Sequence, residues 1–330
     1  MRVSKLPGEQ ACILEVAPQH RLACNILNND KSLPCIVLLN GSVFNFRQWD
    51  TVVRAGFIPL IGTKFRLVRY DYGPSGCSST PHQGWSLENL AAELLLLLNA
   101  LGVERAHLYG LSKGTIVAQA LQLWHPQRVA SLAGYGWYYH HYSRLGPFRR
   151  QFERRLERFE GLKALWEKEL DWSAFQEVWR EVYREIVFGK SVEQFSLWEK
   201  ASDYFLQLKL FPVMAPTRIG IMHAWFRYAL QEMQELTPLF KDMRRICGAV
   251  PTLLQHAAKD ETLPIEMARE LKAELPFAEL IEYDENYSHL SVAFKRRHAA
   301  QVIQDYIEFL NRATRLAPGA RQEQADMVFK

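Results

Sequence analysis

The sequence predicts an α/β protein, with a mostly parallel sheet covered by helices on both faces and a large helical insertion. Three observations point there. Over residues 1–137, continuous apolar runs of strand length alternate with longer stretches of helical periodicity. The same rhythm resumes over 246–315. From 138 to 245 no strand-like run occurs, and charges of both signs alternate with aromatics at helical spacing. Strand-helix alternation of this kind builds a sheet with helices on both sides.

Cys35 to Leu39 is wholly apolar and ends in Asn40-Gly41, as a strand buried on both faces does. Phe65 to Tyr70 reads as a second strand, stopped by the Gly/Pro/Ser-rich stretch from Gly73 to Ser79. Ser86 is placed to cap a helix running to Leu101, with Gly102 beyond its end. Ala106 to Tyr109 forms a third strand, Thr115 to Trp124 a helix and Val129 to Tyr135 a fourth strand. After the insertion come a strand at Thr252 to His256, a helix at Pro264 to Leu275, a strand at Leu280 to Tyr283 and a helix at His298 to Arg315. Residues 316–330 read as a poorly ordered tail.

The insertion reads as a helical cap. Phe152, Leu156, Phe159, Leu162, Leu165 and Trp166 mark one helical face, and Trp172, Phe175, Trp179 and Tyr183 another. Such aromatics form the core of a subdomain or line an apolar substrate pocket beneath it.

The 330 residues hold 48% hydrophobic and 23% charged side chains, the balance of a folded soluble chain. A net charge of +4 without a basic block gives no footprint for nucleic acid. The longest apolar run, Leu94 to Leu98, falls far short of the roughly 20 residues of a membrane span. Five scattered cysteines without CxxC spacing fit a reducing compartment and imply neither a disulfide framework nor a zinc site. The expectation is a cytoplasmic protein without metal or organic cofactor.

Gly110-Leu111-Ser112-Lys113-Gly114 matches G-x-S-x-G between a predicted strand and a predicted helix. A serine at such a turn projects its hydroxyl above the sheet, and it becomes a nucleophile when a base takes its proton. His289, in the loop between the last strand and the last helix, is the candidate base. Asp260, after the strand Thr252 to His256, is the candidate acid that holds the imidazole in one tautomer, with Glu261 as the runner-up. The oxyanion formed on attack needs backbone donors. Lys113 supplies one, and the loop after Leu39 another, from Ser42 or from Val43.

Four such stations in this order resemble the α/β-hydrolase superfamily, over about residues 20–137 and 246–315, with the insertion where cap domains occur. Asp71 to Ser78 is similar to the family's Gly-rich turn after its fourth strand. The resemblance implies a serine hydrolase acting on an ester or thioester with an apolar acyl group. Asn40, Gly41, Val43, Tyr135, Trp137, Tyr138 and Tyr139 are the candidate substrate-binding residues. The implied partner is a small-molecule acyl substrate, a carrier-bound thioester among the options; oligomeric state stays open. Serine at the elbow argues against dehalogenase and epoxide-hydrolase chemistry, which needs a carboxylate nucleophile.

Two departures matter. Asn40-Gly41 replaces the family's common His-Gly and is similar to the branch that joins hydroxyacyl groups into 3-(3-hydroxyalkanoyloxy)alkanoates. Lys113 puts a charge where uncharged residues are usual, so its ammonium attracts an anionic substrate, favours the deprotonated serine, or points to solvent or a nearby acid. The rival readings are therefore an acyltransferase, a C–C hydrolase or lyase with the same three residues, and a non-catalytic ligand-binding module.

Overall fold

The computed structural model describes residues 8–41, 44–58, 64–73, 75–79, 86–138, 196–197, 200–201, 250–260, 262–275 and 277–315. The expected cap and C-terminal tail therefore lie almost wholly outside the described residues.

Among the described residues, eight strands form one sheet: β1 (Glu9–Ala17), β2 (His20–Leu27), β3 (Cys35–Leu39), β4 (Arg66–Tyr70), β5 (Ala106–Leu111), β6 (Val129–Tyr135), β7 (Thr252–Ala257) and β8 (Glu279–Tyr283). Their spatial order is β1-β2-β4-β3-β5-β6-β7-β8. β2 runs antiparallel to both of its neighbours, and every other pairing is parallel. The hairpin β1-β2 has no counterpart in the sequence reading. β1 is an edge strand whose residues are at most half-buried, so it lacks the apolar run that marks β3.

Among the described residues, four longer helices flank the sheet: α1 (Leu87–Ala100), α2 (Lys113–Trp124), α3 (Ile265–Glu274) and α4 (Arg296–Arg315). Ser86 caps α1, its hydroxyl accepting from the Asn89 N–H at 3.1 Å, and Gly102 follows the helix in the left-handed conformation, φ +65°. α2 begins at Lys113, two residues before the expected start, because the turn after β5 leads straight into it.

Period-2 alternation sends the strand side chains to two cores. Cys35, Val37 and Leu39 of β3 meet Leu90, Leu94, Leu97, Ile116 and Leu121 of α1 and α2 on one face. Ile36 and Leu38 point the other way, toward Trp49, Phe57, Val302 and Tyr306. That second face is covered by α4 and by a short helical stretch from Phe46 to Phe57, which the sequence reading left unassigned. A Cβ on Gly56 would come within 2.5 Å of the Ile303 side chain, so the stretch packs directly on α4. With both faces covered, the free ground is at the carboxyl edge of the parallel strands, where β3, β5, β6, β7 and β8 deliver their loops.

Candidate active site

Ser112 follows β5 with φ +52° and ψ −116°, a backbone conformation that L-residues rarely adopt. Such strain costs about 1–3 kcal/mol and persists only where the surroundings over-determine it. Here they do. The Ser112 N–H donates to the Tyr135 carbonyl at 2.9 Å, and the Ser112 carbonyl accepts from the Thr115 amide at 2.8 Å and the Thr115 hydroxyl at 2.7 Å. The turn is tight enough to require both flanking glycines. A Cβ on Gly110 would sit 2.4 Å from the Gly114 backbone, and one on Gly114 would sit 2.1 Å from the Leu39 carbonyl oxygen.

β7 and β8 place the other two residues. Asp260 follows β7 and is buried, and His289 lies in the loop between β8 and α4. His289 Nδ1 is 2.7 Å from Asp260 Oδ2. Asp260 Oδ1 accepts from the amides of Thr262 at 2.8 Å and Leu263 at 2.7 Å. Burial alone would raise the Asp260 carboxyl. The nearby His289 with its hydrogen bond, then His256 and the Leu263 amide, outweigh it and hold the group below the usual carboxylate range. An ionised carboxylate only accepts, so His289 Nδ1 carries the proton and Nε2 is left as the basic nitrogen.

A second histidine stands behind this pair. His256 is fully buried, with Nε2 3.6 Å from Asp260 Oδ2. Its Nδ1 accepts from the Trp137 amide at 3.1 Å, which puts the ring proton on Nε2, donating to the Leu263 carbonyl at 2.7 Å. Burial, more than the opposing pull of Asp260 and Leu263, lowers its basicity, so the ring is held neutral. His256 ends the strand predicted at Thr252 to His256, and nothing local in that stretch marks it for a place beside Asp260.

The expected substrate-binding residues fare differently. Asn40 is fully buried, with Nδ2 donating to the Tyr70 carbonyl at 2.8 Å and Oδ1 accepting from Trp49 Nε1 at 2.9 Å. Its own carbonyl accepts from the Tyr72 hydroxyl at 3.0 Å. Asn40 therefore braces the loop after β3 from below. The Gly41 amide donates to Gln48 Oε1 at 3.2 Å. Tyr135 is buried, and its hydroxyl donates to the Ser288 carbonyl at 2.9 Å, so one residue ties the Ser112 turn to the His289 loop. Trp137 is buried with Nε1 donating to the Gly134 carbonyl at 2.7 Å. Tyr138 is half-buried, its amide donating to the Thr115 hydroxyl at 3.3 Å. Lys113 is 2% exposed, which overturns the solvent-pointing alternative for its side chain. Ser42, Val43, Tyr139 and Glu261 lie outside the described residues.

Among the described residues no three His, Cys, Asp or Glu side chains gather as metal ligands, and no helix is long and apolar enough to cross a membrane.

A strained serine leaving a central parallel strand, with a buried Asp–His pair delivered by the last two strands, is the architecture of the α/β hydrolases. Residues 34–292 match the model of the α/β hydrolase fold, and the chain belongs to that family. It is 32% identical over 105 residues to a fluoroacetate dehalogenase from Burkholderia sp, a match covering 30% of this chain and 33% of that protein. It is 33% identical over 150 residues to a pimeloyl-[acyl-carrier protein] methyl ester esterase from Edwardsiella ictaluri, covering 39% and 52%. The chain thus spans between a third and about half of the length of these relatives. Among solved structures, an α/β hydrolase enzyme from a Medee basin deep-sea metagenome library superposes with TM-score 0.67 at 19% identity, covering 89% of this chain and 96% of that one. The enol-lactonase from Burkholderia xenovorans LB400 gives 0.63 at 18%, covering 90% and 98%. These structural likenesses concern the fold.

Proposed function

We propose that the chain is a serine hydrolase that cleaves an ester or thioester of an apolar acyl group through an acyl-enzyme. Ser112 Oγ attacks the carbonyl carbon while His289 Nε2 takes its proton, and the Ser42 and Lys113 amides stabilise the oxyanion. His289 then protonates the departing alkoxide or thiolate. Water, losing a proton to His289, attacks the acyl-enzyme and releases the acid. Asp260 holds the ring in the Nδ1–H tautomer and stabilises the imidazolium.

The observation that carries this reading is the buried 2.7 Å bond between His289 Nδ1 and an Asp260 carboxyl held below its usual range. A buried carboxylate that accepts from one imidazole nitrogen leaves the other nitrogen free to act as a base. The Tyr135 backbone and hydroxyl join that base's loop to the strained Ser112 turn.

The test is intact mass after incubation with a fluorophosphonate, wild type against Ser112→Ala. A single adduct on the wild type and none on the variant is the expected result. Absence of an adduct on folded wild type overturns the proposal.

A further inference from the structure

Two stretches of backbone touch the Asp260–His289 pair, and one buried side chain holds both of them. Gly136 runs along the His289 ring, whose Cε1 lies 3.1 Å from the place a Cβ of that glycine would occupy. Leu263 holds the acid, its amide donating to Asp260 Oδ1 at 2.7 Å. His256, near the end of β7, bonds to both stretches. Its Nδ1 accepts at 3.1 Å from the Trp137 amide, which belongs to the peptide linking Gly136 to Trp137. Its Nε2 donates to the Leu263 carbonyl at 2.7 Å. The backbone beside the base and the residue that pins the acid therefore meet on one imidazole.

The partners admit one state of that ring. A doubly protonated imidazole would set an N–H against the Trp137 N–H, and the other neutral tautomer would turn a lone pair toward the Leu263 carbonyl. The same Nε2–H lies 3.6 Å from Asp260 Oδ2, the oxygen that holds His289. That separation is too long for a hydrogen bond, but it brings the positive end of a bond dipole to an ionised carboxylate where water is excluded. His256 itself has no proton to give or take in the acyl mechanism, since both of its nitrogens are engaged within the protein.

We propose that His256 is a positioning residue for the acyl reaction, one that fixes Gly136 against the His289 ring and Leu263 against Asp260. The inference rests on the Ser112 mechanism proposed above and deepens it. A base must keep one place and one orientation to meet the serine hydroxyl, and side chains behind it supply that when they are themselves locked by packing and hydrogen bonds. His256 is so locked, being fully buried and bonded at both nitrogens.

The test divides the two bonds. In His256→Asn the side-chain oxygen stands about where Nδ1 does and still accepts from Trp137, but nothing reaches Leu263. In His256→Gln the amide nitrogen stands about where Nε2 does and still donates to Leu263, but nothing accepts from Trp137. His256→Phe keeps a ring and loses both bonds. Gly102→Ala is the control for lost stability alone, because Gly102 precedes β5 at the sheet edge opposite Ser112 and an added Cβ there meets nothing within 4 Å. Urea unfolding of the full chain shows which variants fold. Two readouts follow: the fluorophosphonate labelling rate by intact mass, and the downfield proton NMR signal of His289 Nδ1–H, assigned by its loss in Asp260→Asn. His256→Asn and His256→Gln are expected to label roughly tenfold more slowly than wild type and His256→Phe roughly 100-fold, each with the Nδ1 proton signal displaced or broadened away. Gly102→Ala should match wild type in both readouts. Labelling of the folded variants within about threefold of wild type, or an unmoved proton signal, overturns the inference and leaves His256 a packing residue. Failure of all three variants to fold makes it a structural residue and overturns the inference as well. Absence of labelling on wild type overturns the Ser112 reading instead; the proton signal needs no serine, so the two failures are told apart.

Discussion

Replacing Gly136 by alanine approaches His289 from the backbone side. Gly136 follows β6 with φ +69°, and a methyl there would lie 3.1 Å from His289 Cε1, 3.2 Å from Nδ1 and 3.6 Å from Asp260 Oδ2. Carbon contacts settle at about 3.5–4.0 Å, so the ring must move by roughly half an ångström. It has little room, because Nδ1 is bonded to Asp260 and Asp260 is pinned by two amides. A misplacement of about 1 Å at a catalytic group lowers a rate by about 100-fold, and half of that by roughly tenfold. The backbone adds its own term. A left-handed alanine costs about 1–2 kcal/mol, offset by about 0.4–1 kcal/mol from the stiffer unfolded chain. Gly102→Ala isolates this term, since Gly102 has φ +65° with nothing within 4 Å of a new Cβ. The assay pairs the fluorophosphonate labelling rate with urea unfolding for both variants. Both should lose about 1 kcal/mol of stability, and only Gly136→Ala should label about tenfold more slowly. Equal labelling by the two variants would refute the claim that Gly136 is required by the His289 ring.

Three further outcomes follow from the same geometry. Asp260→Asn keeps an oxygen for the Thr262 and Leu263 amides but turns an N–H toward His289, so labelling should fall by on the order of 10³- to 10⁴-fold while the chain stays folded by circular dichroism. Trp49→Phe deletes the indole donor to Asn40 Oδ1 inside the core, and urea unfolding should show a loss of about 2 kcal/mol. Burial pushes Asp71 up to about 7, against the amides of Phe46 and Cys77 and the guanidinium groups of Arg69 and Arg47. Because the folded carboxyl holds its proton longer than the unfolded one, its contribution to stability is full below about pH 4 and is lost as pH rises through about 7. Asp71→Asn should flatten that fall, by roughly 4 kcal/mol at most, in urea titrations across this range.

Much of the architecture could be read along the chain because its physics is local. β3 is buried throughout, and its continuous apolar run records that directly; β5, β6 and β7 are buried as well, and their mostly apolar stretches of strand length still mark them although His107, Ser131, Gln255 and His256 interrupt them. Ser86 and Gly102 mark the ends of α1 through a cap hydroxyl and a left-handed residue, both visible as residue types. The G-x-S-x-G string stood out because strand, turn and helix surround it, and Asp260 and His289 because each follows a strand at the sheet's carboxyl edge. β1 escaped notice. On the sheet edge its side chains need not be apolar, and Ile13 is 60% exposed.

What could not be read along the chain depends on atoms brought together from far apart. Nothing near residue 40 says that its amide will meet Trp49 Nε1 and the Tyr70 carbonyl, which turns a supposed substrate contact into a brace. His256 comes against Asp260 because the chain turns back after β7 and offers Leu263 to one ring nitrogen and Trp137 to the other. The burial of Lys113 and the unpaired amide of Gln48 follow from packing around the loop after β3 and the Ser112 turn. Hydrophobic period and turn chemistry act over a few residues, so they settle which segments are strands, helices and turns. Hydrogen-bond partners, tautomers and the acidity of a carboxyl are set by distance and burial in three dimensions, which a linear pattern does not carry.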